Sequence, residues 1–178
     1  KDKNFKTSFY YKIDRKKDKK HDRVIFYFSN KQKLIYNDIR KFGFLIIAKT
    51  SKLKNYTSFI KLGPDPLKNN FNFKYFKEKS SNKKIKIKDL LMNQSFVSGL
   101  GNIYVNEILF KSKINPYFLA NNLKDVHIKK IVKYTKNILI KAIKHGGSSI
   151  KDFHSFDGAK GHYQEKFYVY GKTGLQCS

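Results

Sequence analysis

The run Val97-Ser-Gly-Leu-Gly-Asn-Ile-Tyr104 has the residue types and spacing to do chemistry. Its two glycines let the backbone turn sharply, and a helix opening at Asn102 would point its first free N–H groups outward. A helix start of this kind is an anion site, and Asn102 adds a side chain able to hydrogen-bond and to cap it. The same spacing also describes an ordinary connection between two helices. The net charge says which anion to expect: 39 Lys and Arg face 13 Asp and Glu, for +26. A field of that sign attracts polyanions, DNA or RNA first and an anionic membrane surface second. Codon bias in an A/T-rich genome would raise Lys, Asn, Ile, Phe and Tyr together. It would raise Glu as readily, however, and acids are scarce here. A backbone phosphate is therefore the favoured anion.

The elements that position this turn come from a chain of 178 residues, the size of one domain or two small ones. Hydrophobic residues make up 40%, including 16 Phe and 12 Tyr, enough for a buried core and too many for a disordered chain. No apolar run approaches the roughly 18–20 residues that span a bilayer. The start Lys-Asp-Lys-Asn has no apolar stretch of a signal peptide and no Met, as in a processed or partial sequence. A single Cys excludes an intramolecular disulfide framework and points to a reducing cytoplasm.

Hydropathy period divides the chain. Residues 15–20 form a basic loop. Period-two segments over 23–28 and 32–37, with Ser29-Asn30-Lys31 as a hairpin connection, and a run over 42–48 that is apolar almost throughout, as for a strand covered on both faces, predict three strands of an antiparallel sheet. Gly63-Pro-Asp-Pro66 reads as a linker. Helical spacing follows over 71–79, 85–93, 102–111 and 123–145. Val105, Ile108 and Leu109 face inward on the third of these helices. The fourth carries an apolar stripe of Ile128, Ile131, Val132, Ile138, Leu139 and Ala142, and Gly146-Gly147 ends it. Residues 166–170 read as a short strand.

Several segments together resemble the formamidopyrimidine-DNA glycosylase / endonuclease VIII family. Gln94-Ser-Phe-Val-Ser-Gly-Leu-Gly-Asn-Ile-Tyr-Val-Asn-Glu107 is similar to its helix–two-turn–helix signature. Lys20-His-Asp-Arg-Val24 resembles its His-Asp-His-Val strand start, and Tyr36-Asn-Asp-Ile-Arg-Lys-Phe-Gly43 its Asp-Pro-Arg-Arg-Phe-Gly loop. Leu62-Gly-Pro-Asp-Pro-Leu67 resembles its interdomain linker. Gly146-Gly-Ser-Ser-Ile-Lys-Asp-Phe153 and Tyr168-Val-Tyr-Gly-Lys172 resemble the run into its zinc finger. The match covers residue 18 to the end, and Arg40 and Phe42 favour the formamidopyrimidine branch.

The resemblance implies an α+β fold. It would comprise the second part of an antiparallel β-sandwich (1–62), a helical domain with the helix–two-turn–helix motif (63–150), and a lesion-capping loop with the start of a zinc-ribbon hairpin (151–178). It implies a glycosylase and abasic-site lyase of base-excision repair, acting on 8-oxoguanine and formamidopyrimidines by β- and δ-elimination. The implied partner is double-stranded damaged DNA, bound by a monomer in a bacterial cytoplasm at the nucleoid. Phe42 would be the wedge and Arg40 would fill the void and read the opposite base, since its fork makes paired bonds to a base edge. His21, Lys83 and Asn102 match positions that contact DNA, with Lys84 able to replace Lys83. Tyr104 and Glu107 would orient the turn or line the cleft, and helix packing explains both equally well. Residues 148–163 would cap the flipped base, with Gly158 and Gly161 allowing motion. Asp38-Ile39 stands where the family has Asp-Pro, which leaves this loop less rigid.

The family's nucleophile is the amine of an N-terminal proline, followed by a Glu, and neither has a match here. Cys177 matches only the first of the four thiolates that a structural zinc requires. The expectation is an internal fragment that binds DNA without excising, zinc belonging to the intact protein. Two other classes fit the same residues: a catalytically silent damaged-DNA-binding module, and a general basic RNA-binding protein.

Overall fold

The computed structural model describes residues 9–10, 19–56, 60–148 and 161–176. Two compact units divide the chain, one from Lys1–Ile47 and His145–Glu165, the other from Ala48–Lys144 and Lys166–Ser178.

The first unit is built on a three-stranded antiparallel sheet in the order β1-β3-β2: β1 is Phe9–Tyr10, β2 Asp22–Tyr27 and β3 Lys33–Asn37. The hairpin between β2 and β3 closes through Phe28 N–H to the Gln32 carbonyl at 2.9 Å, and Lys31 takes the left-handed conformation its tight turn requires. Val24 pairs with Tyr36 and Phe26 with Leu34, with an irregularity between Asp22 and Val24. Such a bulge lets Arg23 turn away from the ladder. Central β3 buries Ile35 and Asn37, and Asn37 is satisfied by donating to Asp22 at 2.8 Å.

The sequence predicts a third strand over 42–48, whereas the sheet's third member is β1. Residues 42–49 run without ladder bonds, and Phe42, Phe44, Leu45, Ile46 and Ile47 are exposed. Composition marks a segment as fit for a sheet, but pairing needs a neighbouring strand.

The same unit holds the two flanks of the expected capping loop against each other. His162 N–H bonds the His145 carbonyl at 3.1 Å and Tyr163 N–H bonds that of Gly147. A Cβ on Gly161 would run into the Gly147 carbonyl, so this glycine allows a close backbone approach. Gly158 and most of that loop lie outside the described residues.

Among the described residues, the second unit's helices include α1 Phe73–Ser80, α2 Ile87–Met92, α3 Asn102–Ser112 and α4 Asp125–Lys144. Asn72 caps α1 by accepting from Tyr75 N–H at 3.0 Å. α4 packs on α3 and α1, and α2 on α3. The buried stripe of α4 is Ile128, Ile131, Thr135, Ile138 and Ala142, at alternating steps of three and four residues. Val132 and Leu139, expected in that stripe, are only half-buried at its edge. The core is completed by Phe71, Phe76 and Phe96, with Phe76 edge-on to Phe96 at 5.0 Å. Residues 166–170, read from sequence as a strand, form a turn at the end of a short 3-10 helix instead. No helix among the described residues is long and apolar enough to cross a membrane.

Candidate nucleic-acid interface

Two surfaces carry the sequence-derived residues, one in each unit. In the first unit, Tyr36 to Gly43 leaves β3 and folds around its own aspartate. Asp38 Oδ1 accepts the main-chain N–H groups of Arg40 and Lys41, each at 3.0 Å, and Oδ2 accepts that of Gly43 at 2.8 Å. The Tyr36 hydroxyl adds a fourth bond at 3.3 Å. These donors hold the Asp38 carboxyl below its ordinary pKa, the Gly43 bond contributing most, while partial desolvation opposes them. Desolvation and the neighbouring Asp38 charge raise the Tyr36 phenol.

The main chain of Asp38 is tied to the sheet. Its N–H bonds the His21 carbonyl at 2.9 Å, and its own carbonyl accepts from Arg23 Nε at 3.1 Å. This backbone projects Arg40 and Phe42 outward. Phe42 is 77% exposed, with the Arg40 guanidinium 4.9 Å from its ring centroid. His21 ends the short 3-10 turn before β2. Its Nδ1 is buried and has no hydrogen-bond partner among the described residues.

In the second unit, the segment between α2 and α3 makes two turns held by one side chain. Gln94 Nε2 donates to the carbonyls of Leu100, at 2.8 Å, and Met92, at 3.2 Å, while its Oε1 accepts from Gly99 N–H at 2.7 Å. Gly99 has φ +77, a conformation that other residues adopt at a cost. The linker lies directly on this turn. Gly63 N–H bonds the Gln94 carbonyl and Ser98 N–H that of Pro64.

The sequence expects Asn102 to cap α3, whereas the cap is Gly101 and no side chain bonds there. Asn102 is the first helical residue, exposed, with its Oδ1 accepting from Asn106 at 3.3 Å. Gly101 brings no side chain of its own to the start of α3, and the helix dipole adds positive potential there. Tyr104 is half-buried one turn-fraction along. Lys83 is exposed in the α1–α2 loop, which its carbonyl pins by accepting from Asn121 N–H at 3.2 Å.

Glu107 has a different place from the one expected. It is buried, and its carboxylate accepts the main-chain N–H groups of Tyr168 (2.8 Å), Val169 (2.9 Å) and Tyr170 (2.9 Å). It orients the C-terminal run, not the two-turn segment. An acid set within the inward stripe beside Val105 and Ile108, in a chain poor in acids, was the signal for such a role. On the outer side, Tyr168 stacks on Phe110 at 5.8 Å, and Lys111 Nζ lies 3.6 Å from the Tyr168 centroid. Lys111 lowers the Tyr168 phenol.

Cys177 lies outside the described residues. Among those described, no group of three His, Cys, Asp or Glu is placed to hold a metal. With one Cys in the chain, the residues present do not fit a closed four-thiolate zinc site.

Residues 62–154 match the family described as "Formamidopyrimidine-DNA glycosylase H2TH domain". The chain is 42% identical over 159 residues to a formamidopyrimidine-DNA glycosylase of Rickettsia bellii, covering 89% of this chain and 58% of that protein. It is also similar to the Lactococcus lactis enzyme in two solved complexes. One is a G226P mutant with DNA containing Fapy-dG (TM-score 0.82, 39% identity, 94% of this chain and 61% of that one). The other holds DNA with an abasic site (TM-score 0.81, 40% identity, the same coverage). The chain thus spans somewhat under two thirds of these relatives' length. With the two-turn segment, the Arg40–Phe42 loop and this match in agreement, the chain belongs to the formamidopyrimidine-DNA glycosylase family.

Proposed function

We propose that this chain is the DNA-recognition portion of a base-excision-repair glycosylase that removes oxidised purines, 8-oxoguanine and formamidopyrimidines, and then cuts the abasic strand by β,δ-elimination. The partner is double-stranded damaged DNA, bound by a monomer in the bacterial cytoplasm. Structural zinc belongs to the intact protein.

Phe42 carries this reading. A phenylalanine left 77% exposed on a loop fixed by four hydrogen bonds is placed to enter a base stack, with Arg40 beside it to meet the base left unpaired. Extruding a nucleotide costs a few kcal/mol, which such a wedge offsets. Asn102 at the start of α3 and Lys83 in the second unit, and His21 in the first, are each read as phosphate contacts. Tyr104 supports that helix start.

The test is a binding titration on duplex containing an abasic-site analogue beside undamaged duplex. The expected result is tighter binding to the abasic duplex, lost in Phe42→Ala. Equal binding to both duplexes and to RNA, unaffected by Phe42→Ala, would leave a general polyanion binder.

A further inference from the structure

We propose that Asp38 is the positioning residue of the recognition loop: its carboxylate fixes in advance the backbone that aims Arg40 and Phe42. This deepens the reading above and rests on it. Three consecutive features of the loop need an external restraint, and Asp38 supplies each. Lys41 sits at φ 58, where a residue with a Cβ is disfavoured, and its N–H is held by Asp38 Oδ1. Arg40 N–H is held by the same oxygen, which sets the direction in which its side chain departs. Gly43 N–H is held by Oδ2, where a Cβ on Gly43 would overlap the Tyr36 hydroxyl.

The aspartate is able to act as a restraint because its own main chain is fastened at both ends, to His21 and to Arg23. One side chain therefore joins the end of the sheet to the exposed tip. A loop ordered before binding loses less freedom when its ring enters DNA, so the gain appears as selectivity for a duplex that can be opened. Asp38 touches no base in this scheme. It acts through Arg40 and Phe42.

The experiment compares wild type, Asp38→Asn, Lys41→Pro and Phe42→Ala in this chain. It reads the Gly43 amide proton shift in the free protein and the ratio of affinities for abasic-analogue and undamaged duplex at one salt concentration. Asp38→Asn is nearly isosteric but loses acceptor capacity. It is expected to move the Gly43 amide upfield and to cut the preference about tenfold, with undamaged duplex bound within about twofold of wild type. Lys41→Pro leaves Asp38, Arg40 and Phe42 in place, removes one bond and forbids the positive φ. It is expected to cut the preference equally. Phe42→Ala loses the preference, and its Gly43 amide, though displaced by loss of the adjacent ring, still moves upfield when Asp38→Asn is added.

The proposal is overturned if Asp38→Asn keeps the full preference, or loses it with the Gly43 amide unmoved. A wild-type chain with no preference overturns the functional reading and this role with it. That outcome is recognised by a Gly43 amide that still responds to Asp38→Asn.

Discussion

The Glu107 carboxylate, buried within α3, accepts the main-chain N–H of Tyr168 across 61 positions of sequence at 2.8 Å, and the next two N–H groups follow it. One charged side chain thereby satisfies three donors of a segment that has no strand partner. Glu107→Ala would leave those three part-buried donors without their acceptor and is expected to destabilise the second unit by about 1–3 kcal/mol. Urea unfolding checks it. Hydrogen exchange should report the loss first at 168–170.

Gly63 is the second structural test. A Cβ there would lie 2.5 Å from the Phe96 carbonyl carbon and 2.7 Å from Val97 N, both main-chain atoms that cannot step aside. Gly63→Ala is expected to cost about 1–3 kcal/mol, read as a lowered melting temperature. Duplex affinity should fall with it, because the linker lies on the turn that precedes α3.

Acid should loosen the Asp38 loop at a lower pH than a free aspartate would suggest. The folded pKa is depressed below the unfolded one, so the stabilisation is full above the unfolded value, ~4, and is lost as pH falls through the folded value. A Gly43 amide shift that is flat from neutral pH down to ~4 and moves only below it is the expected profile.

Salt dependence tests the phosphate contacts. Each phosphate neutralised contributes about −0.9 to the slope of log K against log salt. Replacing Lys83 by Ala is expected to reduce the slope by about one, while a replacement on the exposed face of α4, such as Lys133→Ala, leaves it unchanged. Equal effects from both would assign the binding to the diffuse charge alone.

The helices were legible because their information is local. Residues 102–111 were read as a helix and α3 is Asn102–Ser112; residues 123–145 were read as one and α4 is Asp125–Lys144. Periodicity and the Gly146-Gly147 stop require no knowledge of distant partners. The strand reading of 42–48 failed because a ladder depends on what lies alongside. The reading of 166–170 failed for the same reason: a single buried carboxylate, not a neighbouring strand, takes its N–H groups. The site divides in the same way. Arg40 and Phe42 were visible by resemblance, and so was the departure at Asp38-Ile39. The restraint on that loop comes from how Asp38 folds back on residues two to five positions ahead, which residue type alone does not specify.

Phe26, Phe28, Phe44 and Ile47 are exposed on a chain carrying +26 charges, and the two set its colloidal behaviour against each other. At ~0.01 M salt the charges repel over roughly 30 Å and keep copies apart; near 0.15 M that range shrinks to about 8 Å, short enough for bare rings to meet. Light scattering should therefore rise with salt in the absence of any nucleic acid. Duplex DNA, by neutralising lysines, would push the chain along the same road as added salt, so crowding of protein on DNA and clumping of protein off it share one cause.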